Sequence, residues 1–204
     1  MADGPFLPVV RPGRRPDEPS VFDRLAIVGL DPLGAAVATA ARLACPSALV
    51  IGVDRNDRLE SCIRAGAIDI GADDPIVVAE ADLVMLAVPL AEQESWLRAL
   101  SDLVPGAALV TSLRSDEGVP AAAGAMPERF RFIPGHVRPA AGAGTVRGAG
   151  ADPISGCAWA IAAPDGDEHA ARLAAFVRRI GGRPRLVGDA AGLQAFLQEP
   201  PPAV

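Results

Sequence analysis

The chain has 204 residues, half of them hydrophobic and 22% charged, with a formal net charge of -6. This is enough apolar material for one compact domain with tails. The acidic balance excludes a surface built for nucleic acid or an anionic membrane, since both need a basic face. No run approaches the roughly 20 apolar residues of a membrane span, and the opening MADGPFLPVV lacks a basic region followed by an apolar one. Cys45, Cys62 and Cys157 have no paired spacing and leave one thiol over in any disulfide scheme, which fits a reduced cytoplasm. With only His136 and His169 and no Cys/His cluster, no metal site is expected.

In chain order, residues 1–20 carry a proline every few positions and are expected to form a flexible leader. RLAIVGL then predicts a buried strand, LGAAVATAARLA a helix, ALVIGVD a second strand, and NDRLESCIRAG a helix ending at Gly66. Next come ADLVMLAVP as a strand, AEQESWLRALSDL as an amphipathic helix, GAALVTSL as a strand, and SDEGVPAAAGAM as a weak helix broken by Gly118 and Pro120. RFRFIPGH and CAWAIAAP predict further strands around a Gly/Ala-rich loop, and GDEHAARLAAFVRRIGG a long helix before the short strand RPRLVG. Residues 189–204 are expected to be a short C-terminal tail. Successive β-α units imply an α/β domain over residues 21–188 with a doubly wound, mainly parallel sheet.

The stretch VGLDPLG lies where the first strand turns into the first helix, the place of a G-x-G-x-x-G dinucleotide fingerprint. Gly29, Leu33 and Gly34 fit a cofactor-binding turn, and Asp54 closes the second strand about 25 residues later, where a carboxylate accepts ribose hydroxyls. That acid favours NAD over NADP, while Arg55 beside it works the other way. Asp31 replaces the middle glycine, and with Pro32 it forms an N-cap, N1 pair that can satisfy the N-H groups a phosphate would use. Two like charges about 4 Å apart repel by roughly 4 kcal/mol at an effective dielectric near 20, against about 8 kcal/mol for micromolar binding. Two outcomes stay open: an outward Asp31 leaves room for pyrophosphate, and an Asp31 that caps its own helix leaves the fold without the ligand.

LAIVGLDPLGAAVATAAR, VIGVDRNDRLESCIRAGAID and ADLVMLAVPL together resemble the amino-terminal, Rossmann-like domain of the prephenate and arogenate dehydrogenases, over roughly residues 24–188. The resemblance implies that the Ala87-Val88-Pro89 turn, with Val88 and Pro89, lies against the cofactor ribose. It also implies that TSLRSDEG stands for a G-S-V-K-like stretch. Ser115 would then match the serine that orients substrate and catalytic histidine, with Arg114 and Glu117 in place of glycine and lysine. His136 in IPGHVRP matches the catalytic histidine of a G-H-P segment.

The activity so implied is oxidative decarboxylation of a dicarboxylate, prephenate or arogenate, in tyrosine biosynthesis. A neutral imidazole, with an ordinary pKa of about 6.5, takes the ring hydroxyl proton while the cofactor accepts hydride. Arg138 and Arg147 are secondary candidates for substrate carboxylates. Trp96, Leu97, Leu100 and Leu103 fit the core-facing side of a helix, and His169 a solvated helix start.

The similar enzymes carry a second, all-helical domain that dimerises and closes the substrate site, and no S-H-L-P-H-like segment for it occurs here. A homo-oligomer or a partner chain is therefore expected to complete any active site. Two rival expectations remain: a non-catalytic binding or scaffold protein that keeps the Rossmann fold, and a dehydrogenase of another Rossmann family.

Overall fold

The computed structural model describes residues 20–103, 108–115, 131–138 and 154–200. The expected leader, nearly all of the weak helix at 115–126, Glu117 and Arg147 lie outside the described residues.

The first half of the chain alternates as expected. Strand β1 (Arg24–Val28) leads into helix α1 (Pro32–Ala44), β2 (Leu49–Val53) into α2 (Asn56–Arg64), and β4 (Leu83–Leu86) into α3 (Leu90–Leu103). Between α2 and β4 lie a short strand β3 (Ile70–Ala72) and a 3-10 helix (Pro75–Glu80), neither expected from the sequence. Then follow β5 (Leu109–Ser112), β6 (Arg131–Ile133), β7 (Gly135–Arg138), β8 (Ala158–Ile161), α4 (Glu168–Arg179), β9 (Arg183–Leu186) and α5 (Ala190–Gln198).

Six strands form one sheet in the order β3-β2-β1-β4-β5-β6, and every pairing in it is parallel. Successive residues of a strand point to opposite faces, so β1 divides its side chains between two layers. Leu25 and Ile27 pack with α1 and α4 through Val37, Ala41, Leu173 and Phe176. Ala26 and Val28 pack with α3 through Leu97 and Leu100. Covering both faces explains why β1 and β4 are near-continuous apolar runs rather than alternating ones. The order reverses between β1 and β4, and in such sheets the crevice at the strand C-termini is where ligands bind.

RFRFIPGH is two strands rather than one. β6 completes the large sheet, while β7 pairs antiparallel with β8 in a second sheet of order β7-β8-β9. Pro134 marks the switch because it has no N-H to donate, and its carbonyl accepts from Ala162 N at 2.9 Å instead. The tail expected from residue 189 is also corrected. Asp189 caps α5 through Gly192 N, and Leu193 and Phe196 pack against Ala160 and Ala162 of the second sheet. Burial of those two apolar side chains holds the segment as a helix.

At the start of α1, an added Cβ on Gly34 would stand 1.9 Å from the Gly29 carbonyl oxygen, so helix and strand approach only because no side chain intervenes. Gly34→Ala is expected to lower stability by about 1–3 kcal/mol through overpacking, read from urea denaturation with an unchanged m-value.

Candidate functional site

The turn after β1 is closed by its own chain. Gly29 adopts φ 91° and donates to Val53 O at 2.9 Å. Leu30 N donates to Asp54 Oδ2 at 2.6 Å. Asp31 is the N-cap of α1, and its Oδ1 accepts from both Leu33 N and Gly34 N at 3.1 Å. Pro32, at the first helical position, has no N-H to offer. Of the two outcomes left open by the sequence, the capped helix is the one found.

The second oxygen of the same carboxylate faces a cation. Asp31 Oδ2 accepts from Arg114 Nη2 at 2.5 Å, across 83 residues of sequence. Arg114 leaves the end of β5 from a well-held backbone. Its N-H donates to Ser112 Oγ at 3.0 Å, and its carbonyl accepts from Gln93 Nε2 at 3.2 Å. Gln93 and Ser112 are both fully buried, and Ser112 Oγ donates to Gln93 Oε1 at 2.7 Å. Gln93 was not expected here from the sequence. Its signal was the spacing with Leu97 and Leu100, which puts a glutamine on the buried face of α3.

In front of this turn lies a cleft of about 540 Å³, within the usual range for small-molecule sites. Gly29, Asp31, Asp54, Arg55, Val88 and Pro89 all line it. Leu33 and Gly34 are buried in the first turn of α1, behind that wall. Arg58, Asp73, Glu92 and Trp96 also line the cleft and were not expected there. Trp96 thus serves two surfaces, packing partly against the α3 layer and facing the cleft, while Leu97 and Leu100 are fully buried as the helix pattern implies.

Asp54 is held from three sides, by Leu30 N, by Arg55 N at 2.7 Å and by Arg58 Nη1 at 3.2 Å. Burial alone would raise its carboxyl pKa; the two backbone N-H bonds and the Arg58 guanidinium outweigh it, so the group lies below the usual carboxylate range.

His136, on β7, pairs across an antiparallel bridge with Arg114, so the histidine strand and the strand extension that reaches Asp31 are directly joined. His136 Nδ1 lies 3.2 Å from Ser115 O. A carbonyl can only accept, so this contact places the ring proton of a neutral imidazole on Nδ1 and the basic lone pair on Nε2. Ser115 is completely buried, and its hydroxyl accepts from Gly135 N at 3.2 Å. It holds the histidine through its main chain. Arg138 is drawn elsewhere, donating to Glu199 O at 2.6 Å and stacking 4.1 Å from the Phe196 ring centroid. It fastens α5 rather than facing the cleft. His169 sits in the first turn of α4, 3.8 Å from Glu168. Among the described residues no group of His, Cys, Asp or Glu could hold a metal ion, and no helix is long and apolar enough to cross a membrane.

A doubly wound sheet with this strand order and an acid-lined crevice at its switch point is the nucleotide-binding architecture of dehydrogenases. The chain belongs to the family described as prephenate dehydrogenase, nucleotide-binding domain, whose profile matches residues 37–183. No curated protein sequence matches it. Among solved structures it is similar to Synechocystis arogenate dehydrogenase, at 22% identity and TM-score 0.72, over 84% of this chain and 62% of that one. It is also similar to prephenate dehydrogenase from A. aeolicus in complex with hydroxyphenyl propionate and NAD+, at 21% identity and TM-score 0.66, over 85% and 63%. Mycobacterium tuberculosis 3-hydroxyisobutyrate dehydrogenase shares the fold as well, at 19% identity and TM-score 0.63, over 86% and 57%. The chain thus spans about three-fifths of the length of the structures it matches.

A carboxyl with a depressed folded-state pKa stabilises the protein above its unfolded pKa, near 3.9 for Asp, and loses that contribution as pH falls through the lower folded value. Asp54→Asn is therefore expected to reduce stability at pH 7 while narrowing its gap to the parent protein as pH falls below about 4, measured by denaturant titration across pH.

Proposed function

We propose that this domain binds a nicotinamide dinucleotide, NAD in preference to NADP, and forms one side of an active site for oxidative decarboxylation of prephenate or arogenate. The observation that carries the reading is the convergence, at the C-terminal ends of β1, β2 and β4, of Asp31, Asp54 and the Ala87-Val88-Pro89 turn around one cleft, with Arg114 paired to Asp31 beside it. Asp54 would accept the ribose hydroxyls, although Leu30, Arg55 and Arg58 already share its oxygens. Val88 and Pro89 would form the apolar wall beside the ribose. The bound nicotinamide would supply the hydride acceptor.

His136 would take the proton of the substrate ring hydroxyl at Nε2, with Ser115 O holding Nδ1-H and thereby the ring orientation. The dicarboxylate substrate needs walls on both sides of the reacting ring, and the described residues provide one. A second copy of the chain or a partner chain would complete it, in a cytoplasmic setting where the three buried cysteines stay as thiols.

One observation favours a rival, a non-catalytic binding or scaffold protein on the same fold: the Leu33 and Gly34 N-H groups that could hold a phosphate are taken by Asp31. Calorimetric titration with NAD and NADP separates the two. Saturable binding with NAD tighter is expected, and no binding of either at millimolar concentration would favour the scaffold. Where the protein turns over prephenate or arogenate, His136→Asn should lower kcat by about 10²–10⁴-fold with NAD affinity unchanged. Turnover at full rate would remove His136 from the reaction.

A further inference from the structure

We infer that Arg114 is the residue that makes the cleft compatible with a pyrophosphate, by neutralising the carboxylate that Asp31 places at the phosphate position. This rests on the dinucleotide reading above and adds a specificity-determining residue to it.

Asp31 stands where a dinucleotide fingerprint has a glycine, and its carboxylate lines the cleft. Uncompensated, that charge about 4 Å from a phosphate would weaken binding by roughly a thousandfold at an effective dielectric near 20. It is compensated. Arg114 Nη2 meets Asp31 Oδ2, and the two side chains are 34% and 19% exposed, so the pair is only partly screened by water. A guanidinium carries five N-H donors, and the Asp31 contact is made through Nη2, which leaves the cation able to face a second anion beside the first.

The backbone of Arg114 is fixed independently of any ligand. Ser112 Oγ, Gln93 Nε2 and the bridge to His136 hold it, so the positive charge is delivered to the same place whether or not the cleft is filled. The Asp31 carboxylate also has its own reason to stay, as the cap of α1. Asp31 thus lines the cleft as one half of an ion pair, in which the arginine beside it cancels a charge that the helix requires.

The test is a double-mutant cycle on the intact chain, with wild type, Arg114→Gln, Asp31→Asn and the double variant each titrated calorimetrically with NAD and with adenosine. Arg114→Gln should weaken NAD at least tenfold in the wild-type background and by less than threefold in the Asp31→Asn background. Adenosine, which has no phosphate, should bind all four alike. Arg114→Lys keeps the charge and should retain NAD affinity within about threefold, a second arm if the glutamine variant folds poorly.

An unchanged affinity in Arg114→Gln, or an equal loss in both backgrounds, would overturn the inference. So would a tenfold loss in Arg114→Lys. Binding of NAD by Asp31→Asn but not by wild type would overturn it while sustaining the dinucleotide reading. Binding by none of the four would overturn both.

Discussion

The ion pair between Asp31 and Arg114 joins two parts of the fold that no hairpin or crossover connects. One oxygen of Asp31 holds the N-terminus of α1, and the other holds the strand extension that continues β5 toward β7. The carboxylate thus adds a side-chain link between the front wall of the cleft and the strand that bears His136, beside the backbone bonds that run from β4 through Leu113 to Val137. An N-cap of this kind is worth about 0.5–2 kcal/mol, comparable to the contribution of one good core contact, and it acts without a ligand.

That independence has a wider meaning for the site. Gly29, Leu30, Leu33 and Gly34 direct their N-H groups to acceptors within the chain, and Asp54 receives two backbone N-H groups and a guanidinium. These four N-H groups are satisfied by protein atoms. Any anion entering must share or displace these partners, so its affinity depends on charge balance around Asp31 more than on unpaired donors. Membership of the prephenate dehydrogenase nucleotide-binding domain family accords with the crevice.

Much of the architecture was legible because buried parallel strands leave apolar runs that need no context to recognise. RLAIVGL, ALVIGVD and CAWAIAAP each show one, and the Asp-Pro pair at 31 and 32 announces a helix start in two residues. Elements without such a run were missed. β3 is three residues with a central glycine, flanked by aspartates, and α5 reads AAGLQAFLQ, with Leu193 and Phe196 its two buried side chains and Leu197 packed partly beside them. Arg114 was visible as a departure from the resembling pattern, but its partner was not. Their contact spans 83 positions and follows from the sheet order alone. Gln93 shows the intermediate case, a polar residue whose burial the helix spacing indicated and whose partners only the fold could supply.

The passage from one sheet to the other at Pro134 sets a parity for everything on β7. Gly135 and Val137 turn inward, while His136 and Arg138 share the opposite face two residues apart, the second of them fastened to the last helix through Glu199 and Phe196. Side chains on a strand alternate strictly, so a one-residue change of length at this switch would exchange the faces, a deletion bringing Val137 to the histidine position and an insertion bringing Gly135 there. Changes of length elsewhere do not alter the alternation within β7 itself. The permitted indels of the chain are thus unevenly distributed, and a single peptide link between the two sheets is where the reading frame of the candidate active site is kept.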